Sequence, residues 1–305
     1  MEKYVLGLDG GGTSCKACAT NLNGEILLRD IAGSININGV SENYIRAELS
    51  ALLARIYSEM GDMPEFIVIG VAGISNPRTK EVLMSILHDT GYRGKVIITG
   101  DYKIALYAKL GVLNGVLLIS GTGSIAYGID SQGDEIRVGG YGHIIDDLGS
   151  AYAIGRDILA SIIKFYDGRN EATALTDLVM NELEISNIDE LISYVYSPER
   201  KKSDIAALAA LVEPATRVND KMAIEIQEKA AKDLAYLIET TIRRMGEKEL
   251  KIAFSGSVLE KNNFIRESLV KNIENLNTDC KIEIVDSNND AAYGAALLAL
   301  EELFS

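Results

Sequence analysis

The stretch KYVLGLDGGGTSCKA at residues 3–17 joins an apolar strand to a run of three glycines through a single aspartate, Asp9. Glycines lack a Cβ, so the chain can take left-handed turns there and a ligand can come close to the backbone N–H groups. Such N–H groups bind anions, whereas Asp9 is itself an anion, and together they suit a phosphate that arrives with a divalent cation. The other interpretation is a plain β-hairpin, for which Asp-Gly is a strong signal. This stretch alone leaves both interpretations open.

The opening pattern recurs in the middle of the chain. VLGLDGGGTS at 5–14 can be laid over VLLISGTGSI at 116–125, and each is an apolar strand that enters a glycine turn. A further strand, KIAFSGSVL at 251–259, runs into Gly256 and Ser257. An internal duplication predicts two similar domains, and glycine turns at matching places predict that the domains close on one phosphate chain. The recurrence therefore favours a phosphate site over a simple hairpin.

Hydrophobic periodicity predicts an α/β class for both copies. The first copy has a predicted meander of strands at 3–9, 14–20 and 25–32, followed by strands at 65–73 and 95–100 that alternate with helices. Long helical segments are added to the second copy at 147–168, 170–197, 203–212 and 218–246. We predict an N-terminal domain at 1–110, onto which a closing helix at 289–305 packs back, and a C-terminal domain at 111–288 that carries the helical insertion.

The charge balance disfavours two classes of partner. Thirty basic and 44 acidic residues leave a net charge of −14 over 305 residues, which opposes binding to nucleic acid or to an anionic membrane. No apolar run approaches the ~20 residues of a membrane helix, and the early glycine turn leaves no secretion signal. A cytoplasmic protein with a small-molecule substrate is expected. A nucleotide stays possible, because backbone N–H groups and Mg²⁺ can hold phosphates in an acidic protein.

Cys15 and Cys18 form a C-x-x-C pattern, which in some proteins marks redox or zinc chemistry. Here both lie in a predicted strand, where residues three apart point to opposite faces. They are therefore expected to be small core residues.

Six motifs occur in the same order as in a known family. They are LGLDGGGTSCKA (6–17), VIITGDYKIAL (96–106), VLLISGTGSIAYG (116–128), VGGYGHIIDDLGSAYAIGRDIL (138–159), IAFSGSV (252–258) and NNDAAYGAALLA (288–299). The chain thus resembles the BadF/BadG/BcrA/BcrD-type ATPases of the actin, sugar-kinase and Hsp70 superfamily, and most of all the N-acetylglucosamine kinases and archaeal hexokinases among them. The resemblance implies a duplicated ribonuclease H-like (actin-like ATPase) fold with two domains.

The resemblance also implies an ATP-dependent sugar kinase that uses Mg²⁺ and forms a homodimer. Asp9 would hold the Mg²⁺ of Mg·ATP, and Asp101 would contact the sugar as the catalytic base. The matching nucleotide-binding residues are Gly11, Gly12, Thr13 and Thr122 at the phosphates and Gly256 and Ser257 at the adenosine. The matching sugar-binding residues are Asn36, Ser124, Gly140, Tyr141, Gly142 and Asp147.

Asp101 has a physical argument of its own. It follows a buried strand and starts a predicted helix, so the simple interpretation is an N-cap. A sugar hydroxyl that attacks a γ-phosphoryl group needs an acceptor for its proton, and a carboxylate at this strand end suits that role. The two roles are compatible, and we expect Asp101 to be the base.

Asp146 and Asp147 also precede a predicted helix, so capping is again the simple interpretation. Two adjacent carboxylates exceed what one cap needs, and the family has its sugar-binding aspartate at Asp147. Leu148 stands where the family usually has glutamate, and Tyr141 where it usually has tryptophan, so the nucleotide is better specified than the sugar. His143 is expected to be structural, because the chain has only two histidines.

Other activities stay open. Relatives that activate dehydratases use a [4Fe–4S] cluster held by mid-chain cysteines, and none occurs between Cys18 and Cys280. A nucleotide-dependent binding or filament-forming module would hydrolyse ATP whatever sugar is present. The candidate sugars are N-acetylglucosamine, glucosamine, glucose and 2-keto-3-deoxygluconate. The last is acidic and would favour a nearby cation, for which Arg137 and Lys103 are the nearest candidates in sequence.

Overall fold

A computed structural model describes residues 2–304 of the chain. They form two compact units: one comprises the chain up to Gly115 together with the segment from Val285 onward, and the other comprises Val116–Ile284. The domain limits drawn from the sequence, 1–110 and 111–288, stay a prediction beside this division.

The first unit contains five strands and four helices. They are β1 (Tyr4–Gly10), β2 (Ser14–Asn21), β3 (Ile26–Gly33), α1 (Glu42–Met60), β4 (Phe66–Val71), α2 (Arg78–Asp89), β5 (Lys95–Gly100), α3 (Asp101–Leu110) and α12 (Ala291–Phe304). The sheet order is β3-β2-β1-β4-β5. Strand β1 is antiparallel to β2 and parallel to β4, and β4 is parallel to β5. The carboxyl ends of β1, β4 and β5 therefore share one edge of the sheet.

The closing helix α12 packs against β1 at very short range. A Cβ on Gly7 would lie 2.2 Å from both the carbonyl oxygen of Ala292 and the backbone nitrogen of Ala296. A glycine in the strand that faces alanines in the helix thus lets the two backbones come into contact, which sets the distance between β1 and α12.

The second unit repeats this plan with additional helices. Its elements are β6 (Gly115–Ser120), β7 (Ser124–Ile129), β8 (Glu135–Gly139), α4 (Ala151–Tyr166), α5 (Leu175–Glu182), α6 (Ile188–Val195), α7 (Lys202–Ala207), α8 (Val212–Arg217), α9 (Lys221–Met245), β9 (Glu249–Ser255), α10 (Ser257–Lys261), α11 (Asn263–Glu274) and β10 (Lys281–Val285). The sheet order is β10-β9-β6-β7-β8. From its other end this order is β8-β7-β6-β9-β10, so the five strands of the second copy are arranged in the same way as the five strands of the first. The predicted α/β class and the predicted duplication are confirmed.

Two predicted helical segments are interrupted. The segment 170–197 contains α5 and α6, which are separated where Glu184 takes a φ of 54° and Asn187 caps α6 by accepting from the Glu190 N–H at 3.0 Å. The segment 203–212 contains α7 except for its first residue, a 3₁₀ turn at Leu208–Leu211 and the first residue of α8. The periodicity was correct for these segments, but the cap and the tight turn divide them.

Cys15 and Cys18 are both fully buried in β2. Burial raises the pKa of the Cys15 thiol to about 12 and that of Cys18 to about 11. Thiols that stay protonated at neutral pH are poor nucleophiles and poor metal ligands. Their interpretation as core residues is confirmed.

Within residues 2–304, no helix has both the length and the apolar character that crossing a bilayer requires.

Candidate active site

The first glycine turn joins β1 to β2. The Gly11 N–H donates to the Ser14 carbonyl at 2.9 Å, and the Ser34 hydroxyl donates to the Gly11 carbonyl at 3.0 Å. Gly12 and Thr13 are exposed, and a Cβ on Gly12 would meet nothing within 4 Å. The hairpin is therefore present, and its tip is open to a ligand. The phosphate role of Gly11, Gly12 and Thr13 stays a prediction that this geometry permits.

Two aspartates lie where parallel strands of the first unit end. Asp9 is the penultimate residue of β1, and Asp101 directly follows β5. Since both strands run parallel to β4 between them, the two aspartates belong to the same edge of the sheet. Open α/β sheets bind ligands outside this edge.

Asp9 carries a strongly perturbed carboxyl group. Burial raises its pKa to about 6. Lys16, which lies opposite Asp9 on β2, opposes this shift, and the charges of Asp101 and Asp290 add to it. The negative charges of Asp101 and Asp290 therefore repel that of ionised Asp9. A divalent cation bound there would relieve that repulsion, and carboxylate oxygens are the ligands that Mg²⁺ prefers.

Asp101 is not the N-cap of α3, so that interpretation is wrong. Gly100 occupies the cap position without a side-chain bond, and Asp101 is the first helical residue. Its Oδ1 accepts from the Tyr102 N–H at 3.1 Å. Burial raises the pKa of Asp101, and the hydrogen bond from Tyr102 partly offsets the rise. A partly desolvated carboxylate is a stronger proton acceptor than an exposed one, as a general base requires.

Asp290 is a member of this cluster that the sequence analysis did not single out. It ends the loop before α12, where its Oδ1 accepts from the Tyr293 N–H at 2.9 Å. Its other oxygen pairs with Arg29 of β3 at 2.5 Å. The motif NNDAAYG held a signal, since an aspartate near the start of the helix predicted at 289–305 is a cap candidate. Its nearness to Asp9 depends on α12 returning to the first sheet.

The pKa of Asp9 gives a prediction for stability. Its folded pKa, about 6, lies above the unfolded value of about 3.9, so ionised Asp9 destabilises the fold, and stability is lost as pH rises from about 4 to 6. Asp9→Asn is therefore expected to raise the free energy of unfolding by about 2–3 kcal/mol at pH 7.5 without metal, and by little at pH 3.5. Urea unfolding at both pH values measures this.

The control for that measurement is Asp279→Asn, which changes an exposed carboxylate and should alter stability by less than about 0.5 kcal/mol. An equal gain in both variants, or a gain at pH 3.5 as large as at pH 7.5, would contradict the assigned shift.

Asn36 lies half-buried in the loop after β3. Its Oδ1 accepts from the Asn38 N–H at 3.0 Å, and its carbonyl accepts from the Gly39 N–H at 2.9 Å. The local turn thus orients the side chain and uses its oxygen, which leaves the amide nitrogen as the group to offer a ligand.

The second glycine turn, residues 121–124, is tied to the segment that leads into α4. The Ser120 hydroxyl donates to the Gly149 carbonyl at 2.9 Å, and the Ser124 hydroxyl donates to the Leu148 carbonyl at 2.6 Å. The Ala151 N–H donates to the Gly121 carbonyl at 2.8 Å. Two elements distant in sequence are therefore held as one rigid body, with Thr122 exposed at the tip of the turn.

The loop of Gly140, Tyr141 and Gly142 is braced by Arg137. The guanidinium donates to the Gly139 carbonyl at 3.1 Å and also to the Gly140 carbonyl, and it lies 4.7 Å from the centre of the Tyr141 ring. Gly140 and Gly142 have φ values of 76° and 99°, which favour glycine. Arg137, a candidate partner for an acidic sugar, is thus already engaged in holding this loop.

Asp147 has the most unusual environment among the predicted sugar ligands. Its backbone takes a φ of 59°, and its side chain is only 4% exposed. It does not cap α4, since Ser150 does so by accepting from the Ala153 N–H at 3.2 Å. Asp147 instead pairs with Lys202 of α7 at 2.6 Å. Asp146 accepts from the Tyr141 N–H at 3.1 Å.

Gly256 and Ser257 form the third glycine turn, between β9 and α10. A Cβ on Gly256 would lie 2.4 Å from the Ser120 carbonyl oxygen, and its φ is 94°, so only glycine fits. Ser257 borders a cavity of about 380 Å³. The cavity walls are mainly alanines and aliphatic side chains: Ala151, Ile154, Ala206, Ala207, Ala209, Ala210, Val258 and Ile265, with Glu213, Lys261 and Asn262. Such a small, apolar space suits a flat ring.

Comparison with known proteins covers nearly the whole chain. Residues 6–299 match the family model described as the BadF/BadG/BcrA/BcrD ATPase family. The chain is 32% identical to the N-acetylmuramic acid/N-acetylglucosamine kinase of Clostridium acetobutylicum over 305 residues, 98% of this chain and 99% of that protein. It is 29% identical to the N-acetyl-D-glucosamine kinase of Dictyostelium discoideum over 317 residues, again 98% and 99% of the two chains.

A crystal structure from Chromobacterium violaceum has the same fold. Its TM-score is 0.72 at 20% identity, and the match covers 98% of this chain and 99% of that one. At this identity the likeness shows the fold alone.

Proposed function

Because the chain belongs to the BadF/BadG/BcrA/BcrD ATPase family, we propose that it transfers the γ-phosphoryl group of ATP to a hydroxyl of an amino sugar. It is an ATP-dependent amino-sugar kinase, and its relatives from Clostridium acetobutylicum and Dictyostelium discoideum are kinases of amino sugars by name. The observation that carries the proposal is the pair of half-buried aspartates, Asp9 and Asp101, at one edge of the first sheet, with an open glycine turn after β1.

In the first unit, Asp9 holds Mg²⁺, and Gly11, Gly12 and Thr13 bind phosphate oxygens. Within residues 2–304 no three His, Cys, Asp or Glu side chains are grouped as a metal site, which fits Mg²⁺, since it typically takes one or two carboxylates together with phosphate oxygens and water. When bound, the ion neutralises charge on the phosphates. As the oxygen of the sugar hydroxyl bonds to the γ-phosphorus and ADP departs, Asp101 accepts the proton of that hydroxyl.

In the second unit, Thr122 binds phosphate at the tip of its turn. Ser124 and Asp147, which are fixed by their contacts with Leu148 and Lys202, bind the sugar. Gly140, Tyr141 and Gly142 contribute to the same part of the sugar site. In the first unit, Asn36 offers its amide nitrogen to the sugar. The bond to Leu148 uses the Ser124 proton, so its oxygen serves as an acceptor for a sugar hydroxyl.

The adenine base occupies the cavity beside Ser257. Its volume of about 380 Å³ lies at the small end of the range for ligand pockets, and the apolar walls suit an aromatic base. Of the lining alanines, Ala151 begins α4, and the others belong to α7 and to the 3₁₀ turn at Leu208–Leu211 that follows it. The helical insertion thus supplies most of the wall.

Ala207→Phe is expected to raise the KM for ATP about tenfold or more, because the ring fills the proposed adenine cavity. Ala207 is exposed, so the fold should persist, and tenfold corresponds to about 1.4 kcal/mol of lost binding. The control is Ala160→Phe, another exposed alanine of the same unit, outside this cavity. Steady-state kinetics in ATP would reject the cavity assignment if both variants kept the wild-type KM.

The substrate is tested by measuring ADP formation with a panel of sugars. We expect kcat/KM for N-acetylglucosamine, N-acetylmuramic acid or glucosamine to exceed that for glucose and 2-keto-3-deoxygluconate by at least about tenfold. A preference for 2-keto-3-deoxygluconate, or ADP formation that no sugar stimulates, would overturn the proposal. The second outcome would favour a binding module.

The proposal includes a cytoplasmic homodimer, as the family resemblance implies. Light scattering on the purified protein measures the assembly, and a monomer at micromolar concentration would contradict this part.

A further inference from the structure

The helical insertion places a cation on the second glycine turn. Lys202 is the first residue of α7, and its Nζ lies 2.6 Å from Oδ2 of Asp147. A Cβ built on Gly123 would lie 3.1 Å from the same Nζ. The ammonium group therefore lies directly against the turn, at the residue that has no side chain to cover it.

The ammonium group is the accessible member of this ion pair. The Lys202 side chain is 30% exposed, whereas that of Asp147 is 4% exposed. A lysine ammonium has three N–H donors, and within residues 2–304 the structure shows one acceptor for it, Asp147. Donors remain for a ligand that reaches the turn.

An anion is the ligand that this arrangement suits. Thr122 offers an exposed hydroxyl on the same turn, and Lys202 supplies a positive charge beside it. Arg137, another cation of this region, is engaged by the carbonyls of Gly139 and Gly140. Phosphoryl transfer needs preorganised positive charge at the transferred group, because the negative charge there must be neutralised in the transition state.

We propose that Lys202 is a further catalytic residue, whose ammonium group binds the γ-phosphoryl group of ATP. The inference rests on the proposed kinase function. Lys202 contacts both Asp147, a proposed sugar ligand, and the turn that carries Thr122, a proposed phosphate ligand. The Lys202 ammonium group thus lies between the proposed sugar ligand and the proposed phosphate ligand, where the phosphoryl group passes from ATP to the sugar.

The transfer step balances without any change at Lys202. The sugar oxygen forms its bond to the γ-phosphorus, and the bond from that phosphorus to the β–γ bridging oxygen breaks. The sugar proton goes to Asp101, and the electron pair of the broken bond leaves with ADP. Lys202 keeps its proton throughout and contributes only its charge and hydrogen bonds.

The competing explanation is structural. The ion pair could simply hold the segment before α4 against the turn, beside the bonds from Ser120 to Gly149 and from Ser124 to Leu148. A structural role would make all ligands bind less well, whereas contact with the γ-phosphoryl group affects only ligands that contain it.

The test is calorimetric titration of the full chain with ADP and with a nonhydrolysable ATP analogue, both with Mg²⁺ and without sugar. For Lys202→Gln we expect the affinity for the analogue to fall about tenfold or more while the affinity for ADP changes less than about threefold, and kcat to fall about 10²-fold. Lys202→Arg, which keeps the charge, should recover kcat to within about tenfold of wild type. Equal losses for ADP and the analogue, or an unchanged kcat, would overturn the proposal.

Lys202→Gln leaves a buried carboxylate without its partner, which can prevent folding. The double variant Lys202→Gln with Asp147→Asn avoids this, and its reference is Asp147→Asn alone. The ratio of analogue affinity to ADP affinity should again fall only when Lys202 is changed, and an unchanged ratio would refute the assignment. This ratio is measured without sugar, so it tests the Lys202 assignment separately from the kinase function. An unchanged ratio is compatible with wild-type turnover of amino sugars, and a lowered ratio is compatible with no such turnover.

Discussion

Asp101→Asn is expected to reduce sugar phosphorylation about 10²–10⁴-fold, the usual contribution of a positioned general base. The amide has nearly the same shape, and its oxygen can still accept from the Tyr102 N–H. Nucleotide binding and stability should therefore change little. The KM for sugar should rise less than kcat falls, because the proton is transferred only as the transition state is reached. Steady-state kinetics and thermal unfolding of the same preparation measure these quantities.

The matched control is Asp189→Asn, which alters an exposed aspartate in the first turn of α6 and should leave turnover unchanged. Because Gly100 occupies the cap position of α3, Asp101→Ala should not incur the stability loss of a missing cap. Turnover of Asp101→Asn near the wild-type rate would remove Asp101 from the role of base.

Asp9→Asn is expected to lower Mg²⁺-dependent turnover about 10³-fold. A bound divalent ion contributes several kcal/mol to charge stabilisation in phosphoryl transfer, and each 1.36 kcal/mol corresponds to about tenfold in rate. Wild-type protein in excess chelator should fall to a similar level, and chelator should have no further effect on the variant. The rate as a function of free Mg²⁺ measures both.

Together with the stability measurement, this makes Asp9 a residue whose loss removes activity while strengthening the metal-free fold at neutral pH. Proteins often show this opposition between function and stability at active sites. A variant that kept full activity, or that lost activity only because it unfolded, would contradict the metal assignment.

The sequence was sufficient for the fold because its signals are local and occur twice. The apolar strands ending at Asp9 and at Ser120 have the same pattern, so one duplicated unit accounts for both sheets. The family resemblance drawn from the ordered motifs is confirmed by the match over residues 6–299.

What the sequence did not reveal depends on tertiary contacts. Lys202 lies 55 residues from Asp147 in a helix with no recognisable motif, and no periodicity connects the two. Asp290 joins Asp9 only because α12 returns to the first sheet. The role of Arg137 was also unpredictable, since its partners are backbone carbonyls, which any residue could supply. The site roles of the predicted residues remain proposals that the variants above address.

The measurement that tests the kinase assignment most directly is ³¹P NMR of a reaction containing the wild-type protein, Mg·ATP and N-acetylglucosamine. We predict that the γ-phosphate signal is replaced by a sugar phosphomonoester, one for each ADP formed, and that ADP does not accumulate when sugar is omitted. Conversion of ATP to ADP and inorganic phosphate at the same rate with and without sugar would contradict the account.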